Sequence, residues 1–83
     1  MTNKRWKLSK ESKLWMTSDP RTSQEDLAKL LDDEDEEVRF RAARHPGVAP
    51  MDLLHAIEAH PELVMASVQA FLLWEWRKAQ SEK

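Results

Sequence analysis

Apolar side chains recur along this chain at helical spacing, and the recurrences break at prolines. Leu27, Leu30 and Leu31 fall at i, i+3 and i+4, the stripe of one buried helix face. Val38, Phe40, Ala42 and Ala43 mark a second segment, and Leu53, Leu54 and Ile57 a third. Pro20, Pro46, Pro50 and Pro61 each stand where such a segment stops or starts. No stretch shows the period-two alternation of a half-buried strand, and β-branched residues are sparse. The pattern predicts an all-α fold.

Local signals place the helix ends. Ser9 is positioned to cap a first helix carrying Ser12, Leu14 and Trp15, which Asp19-Pro20 terminates because proline disfavours a helical residue before it. Thr22 with Glu25, or Ser23 with Asp26, has capping-box spacing for a second helix. Asp35 caps a third, which His45-Pro46-Gly47 stops. Pro50 suits the first turn of a fourth, where its missing N–H costs nothing. Pro61 is then expected to open a long helix over 61–79, with the chain end fraying.

That last helix is unusually apolar. Ala70-Phe71-Leu72-Leu73-Trp74-Glu75-Trp76 places six apolar residues in seven positions. At about 100° per residue these cover nearly every face. Val64, Val68, Phe71 and Leu72 form one stripe, expected to face inward. Leu63, Ala70, Leu73 and Trp74 form a second, displaced around the axis. A terminal helix needs one buried face only, so two stripes mean either a helix wedged between neighbours or an exposed patch that binds something. Leu73, Trp74, Trp76 and Arg77 are the candidate partner-binding residues, since tryptophan and arginine are over-represented at interface hot spots. The competing reading assigns the tryptophans to the core of a small domain.

The chain also aligns with itself at an offset of 26: Pro20 falls on Pro46, Asp26 on Asp52, Leu27 on Leu53, Glu36 on Glu62 and Val38 on Val64. Leu31 with Ile57 and Ala42 with Val68 are conservative matches. The matched positions are the breaker and the core residues, which a repeat must keep. The division expected is a single domain over 1–83, with an N-terminal cap segment over 1–17, repeat one over 18–43 and repeat two over 44–69, the long helix following from 61.

The motif Asp19-Pro20-x-Thr22-x-x-x-Asp26-Leu27-Ala28-x-Leu30-Leu31, followed by Asp35-x-x-Val38-Arg39-x-x-Ala42-Ala43-Arg44-His45-Pro46, resembles the leucine-rich repeat variant family of HEAT-like repeats. The resemblance covers about residues 18–68. It implies a short right-handed α-solenoid of about five helices and a protein-binding scaffold, with no substrate and no catalytic residue. Only two units are present, whereas solenoids usually need three or more, so the flanking helices must act as caps. Some members of the family carry an iron–sulfur cluster. This chain has no cysteine, so that feature does not transfer.

Composition narrows the function. At 83 residues the chain makes one domain at most, with a modest core and neither disulfide nor thiolate site to reinforce it. The longest apolar run, Ala70 to Trp74, is too short to span a bilayer, and no signal-peptide pattern follows the N-terminal cations. A cytoplasmic protein is expected, without cofactor and without membrane association. Catalysis is not expected: there is no cysteine or tyrosine, Gly47 is the one glycine, and the carboxylates crowd into one run. His55 and His60 are five apart, not the four of a helical metal pair, and His45 and His60 sit at helix junctions.

The net charge of −2 conceals segregation. Lys4, Arg5, Lys7, Lys10 and Lys13 crowd the N-terminus, Asp32 to Glu37 is wholly acidic, and Arg39, Arg41 and Arg44 follow. Three functions stay open. The leading one is a protein-binding adaptor, with a homodimer as its variant, using the C-terminal tryptophan region. The second is nucleic-acid binding through Lys4, Arg5, Lys7, Arg39, Arg41 and Arg44, against which the acidic run counts. The third is an acidic inhibitor of a nucleic-acid enzyme presenting Asp32 to Glu37, whose bland alternative is a solvated loop at a helix N-terminus.

Overall fold

A computed structural model describes residues 8–81. Within them the chain is all-α: α1 (Lys10–Ser18), α2 (Gln24–Leu31), α3 (Glu36–Ala43), α4 (Pro50–Ala59), a 3-10 segment (Pro61–Met65) and α5 (Val68–Ser81). The capping expectations hold residue by residue. Ser9 accepts from the Ser12 amide, Ser23 from the Asp26 amide, and Asp35 from the Glu37 and Val38 amides. Pro50 occupies the first turn of α4.

The long helix expected from Pro61 is not continuous. Pro61 opens a 3-10 segment instead, tightened by the Leu63 amide donating to His60 and the Ala66 amide to Leu63. The chain bends at Ala66-Ser67, and the Ser67 hydroxyl accepts from the Ala70 amide, so α5 starts afresh at Val68. A hydroxyl that caps a new turn competes with continuation of the old one, and here the cap prevails.

The helices form two rows. α1, α3 and the 3-10 segment pack in succession along one, and α2, α4 and α5 along the other. α1 and α2, α2 and α3, and the 3-10 segment with both α4 and α5 join the rows. The array measures 42 × 28 × 18 Å, and α5 closes its far end. The offset of 26 has a spatial counterpart, because α1 aligns with α3 and α2 with α4 at that shift, and each pair is in contact. The core runs along the seam: Leu27, Leu30, Val38, Leu53, Ile57 and Leu63 are all buried. The correspondence between the pairs ends at α4, since at the same shift a 3-10 segment stands where α3 would recur.

The charge blocks knit the N-terminal half together. Lys13 reaches Asp33 at 2.6 Å, with both side chains largely enclosed. Lys10 bridges Asp35 at 3.3 Å and Glu37 at 3.0 Å. Asp33 also accepts from the Asp35 amide. In the turn between α3 and α4, the His45 Nε2 donates to the Asp19 carbonyl at 2.7 Å, and its Nδ1 accepts from the Gly47 amide at 2.8 Å. That network assigns a neutral ring protonated at Nε2. A Cβ on residue 47 would stand 3.2 Å from the ring, so glycine lets the turn close over the imidazole. Gln24 donates to the Gly47 carbonyl from α2.

Candidate functional site: the outer face of the C-terminal helix

α5 packs on α4 and the 3-10 segment along one side. Ala70 is fully buried there, and Leu73 and Trp74 lean on the core beside it. Arg77 closes that side with an ion pair to Glu58 at 2.8 Å. These four residues fall within an arc of about 100°, the width of one packed stripe. The stripe expected to face inward does the reverse: Val68, Phe71 and Leu72 point outward, and only Val64, half-buried, packs on the core. The second stripe is the buried one. The cause is the break at Ser67, which resets the helical phase between Val64 and Val68.

The outer face is therefore apolar and uncovered. Val68 is 75% exposed, Phe71 49%, Leu72 58% and Trp76 53%, and Met65 beside them is 78% exposed. Of the predicted partner-binding residues, Leu73 and Trp74 belong to the packed side, Arg77 to an ion pair on its flank, and Trp76 alone to the open face. Val68, Phe71 and Leu72 complete that face and were not assigned to it from sequence. The periodicity held both stripes; what it lacked was the phase. Glu75 lies on this side as well, and Lys78 reaches it at 3.6 Å.

Of the predicted nucleic-acid contacts among the described residues, Arg41 and Arg44 border one cleft and Arg39 does not. Lys4, Arg5 and Lys7 lie outside the described residues. Arg39 is turned inward, donating to the Asp33 carbonyl at 2.8 Å and to Glu62 at 3.0 Å, with its side chain mostly enclosed. Arg41 pairs with Glu37 at 3.1 Å. Arg44 has no ion pair to a described residue and, with Arg41, borders a shallow cleft of about 300 Å³ lined also by Thr17, Ser18, His45 and Pro46. Polar groups of that cleft are engaged within the chain: Thr17 and Ser18 donate to the Leu14 carbonyl, and both His45 nitrogens are bonded.

Four of the six acids from Asp32 to Glu37 are engaged within the chain. Asp32 pairs with His60 at 3.0 Å, Asp33 with Lys13, Asp35 caps α3, and Glu37 holds Lys10 and Arg41. The Lys10 ammonium holds the Glu37 carboxyl below the usual carboxylate range. For Asp35, partial burial opposes ionisation, yet the Val38 amide, Lys10 and the Glu37 amide together lower its pKa. The same pairing, to Glu37 first and then Asp35, raises Lys10. Glu62 is lowered by its own backbone amide and by Arg39.

Among the described residues no group of three histidine, aspartate or glutamate side chains converges as metal ligands, and no helix is long and apolar enough to cross a membrane. No protein-family model, curated protein or solved structure matches the chain.

Proposed function

We propose that the protein is a small helical-repeat binding module, a HEAT-like adaptor without enzymatic activity, whose contact surface is the outer face of α5. One observation carries this reading: Val68, Phe71, Leu72 and Trp76 present a largely apolar surface, interrupted by Glu75, on a helix whose opposite side is already packed. A helix packed on one side ordinarily turns a polar face to water on the other. An apolar one has a hydration cost that a partner relieves at about 25 cal/mol per Å² covered. Lys10, Lys13, Arg39 and four acids of the run are engaged with one another or with neighbouring elements, which favours apolar burial as the source of affinity. A chain without cysteine suits a reducing cytoplasm, where we place it.

The test is affinity capture from the native host with immobilised wild-type protein beside Leu72→Glu. Leu72 is exposed, so the variant should fold and melt as the wild type does. Protein retained on the wild type and lost on Leu72→Glu supports the reading. Identical retention on both baits refutes it.

A further inference from the structure

Surface area, charge and residue spacing bear on what covers α5. Taking roughly 150–250 Å² for a fully open large side chain, the exposed fractions of Met65, Val68, Phe71, Leu72 and Trp76 leave roughly 600 Å² of mostly apolar surface. That is at the upper limit of the patches monomers carry, about 300–600 Å². Two such faces pressed together would bury roughly 1,200 Å², the small end of stable interfaces.

Charge favours a like partner. The charged groups of α5 near this face are neutralised within the chain, Glu75 by Lys78 and Arg77 by Glu58. Among the described residues of α5 both charges beside the face are thus paired, which favours a partner without strong charge of its own over an oppositely charged protein.

Spacing supplies the geometry. Val68, Leu72 and Trp76 form a ridge of residues four apart, running equally far to either side of Leu72. In a two-fold contact, residue i meets j and j meets i. With the axis at Leu72, the two Leu72 side chains meet, and Val68 of each copy faces Trp76 of the other, small against large.

We propose that a second copy of this chain covers the outer face of α5, the two helices crossing antiparallel about a two-fold axis at Leu72. This rests on the assignment of that face as the contact surface and names its partner. It also supplies reinforcement that a domain of 83 residues without disulfides otherwise lacks.

Sedimentation equilibrium of the full chain at roughly 100 µM, above the dissociation constant expected of such an interface, should give twice the 9.7 kDa monomer mass. Leu72→Glu and Leu72→Lys should each sediment as monomers, with circular dichroism and melting like the wild-type chain's at low concentration. An equimolar mixture of the two should restore the dimer, because opposite charges then meet at the axis. Val68→Asp serves as a second dissociating variant, and an acid at the start of α5 suits the helix dipole. A wild-type monomer overturns the proposal. If capture from the host is still lost in Leu72→Glu, the face binds a foreign protein and only the self-association fails. A dimer that persists in both Leu72 variants and in Val68→Asp overturns the assignment of the face. A mixture that stays monomeric overturns the two-fold crossing at Leu72.

Discussion

The two ends of the array are built on opposite economies. At the α1 end, charge dominates and is consumed inside the chain: Lys10, Lys13 and Arg39 all close on acids or carbonyls of neighbouring elements. At the α5 end, apolar surface dominates and only half of it is consumed, with Ala70, Leu73 and Trp74 packed and Val68, Phe71, Leu72 and Trp76 open. Charge blocks conspicuous in a sequence thus need not be binding surfaces, since a basic segment near an acidic one can satisfy it. The apolar excess of α5 meets no such outlet among the described residues.

The sharpest way to break this contrast is at Asp33. Its carboxylate is almost fully enclosed between Lys13 and the Asp35 amide. Asp33→Ala should cost about 3 kcal/mol, the loss from breaking an enclosed pair and leaving its donors unsatisfied. Urea denaturation measures it, and against the stability of roughly 4–12 kcal/mol typical of a domain this size the loss is large. Trp74→Ala should cost about 2 kcal/mol, less than full truncation of a buried tryptophan because its ring is only partly enclosed.

Acid should loosen the α1 end selectively. Asp35, Glu37 and Glu62 have folded pKa values below their ordinary ones, so their stabilisation is complete above the usual carboxylate range of about 4. It is lost as pH falls through the depressed folded values. Hydrogen exchange should therefore show α1 and α3 losing protection below about pH 4 before α4 does. Lys10, raised, loses its share only at strongly alkaline pH. The smallest effect on folding belongs to the open face: Trp76→Ala should change the monomer's stability by less than about 0.5 kcal/mol, yet weaken association measured by sedimentation. A large loss of stability there would place Trp76 in the core and erase the contrast between the two sides of α5.

Much of this architecture is legible in the residues. Ser9, Ser23 and Asp35 announce three helix starts because a side-chain oxygen before an apolar period has one obvious use. Leu27, Leu30, Leu53 and Ile57 announce the core by spacing alone. The orientation of α5 was not legible. Pro61 opens either an α-helix or a 3-10 turn, and the choice fixes whether Val64 and Val68 share a face. Ser67, which restarts the helix, was the available signal, a hydroxyl three residues before an amide it caps. The fate of the arginines was equally hidden, because the pairing of Arg39 with Glu62 joins residues 23 apart through the packing of α3 on the 3-10 segment.

One measurement bears most directly on the outer face of α5 as a contact surface. Trp15 on α1 is 64% exposed and Trp76 on α5 is 53% exposed, so each indole N–H reports one end of the array under similar solvent access. A ¹H–¹⁵N correlation series on the full chain over increasing protein concentration should shift the Trp76 indole signal progressively and leave that of Trp15 in place. A Trp76 signal that stays fixed while the chain associates, or a Trp15 signal that moves instead, would contradict it.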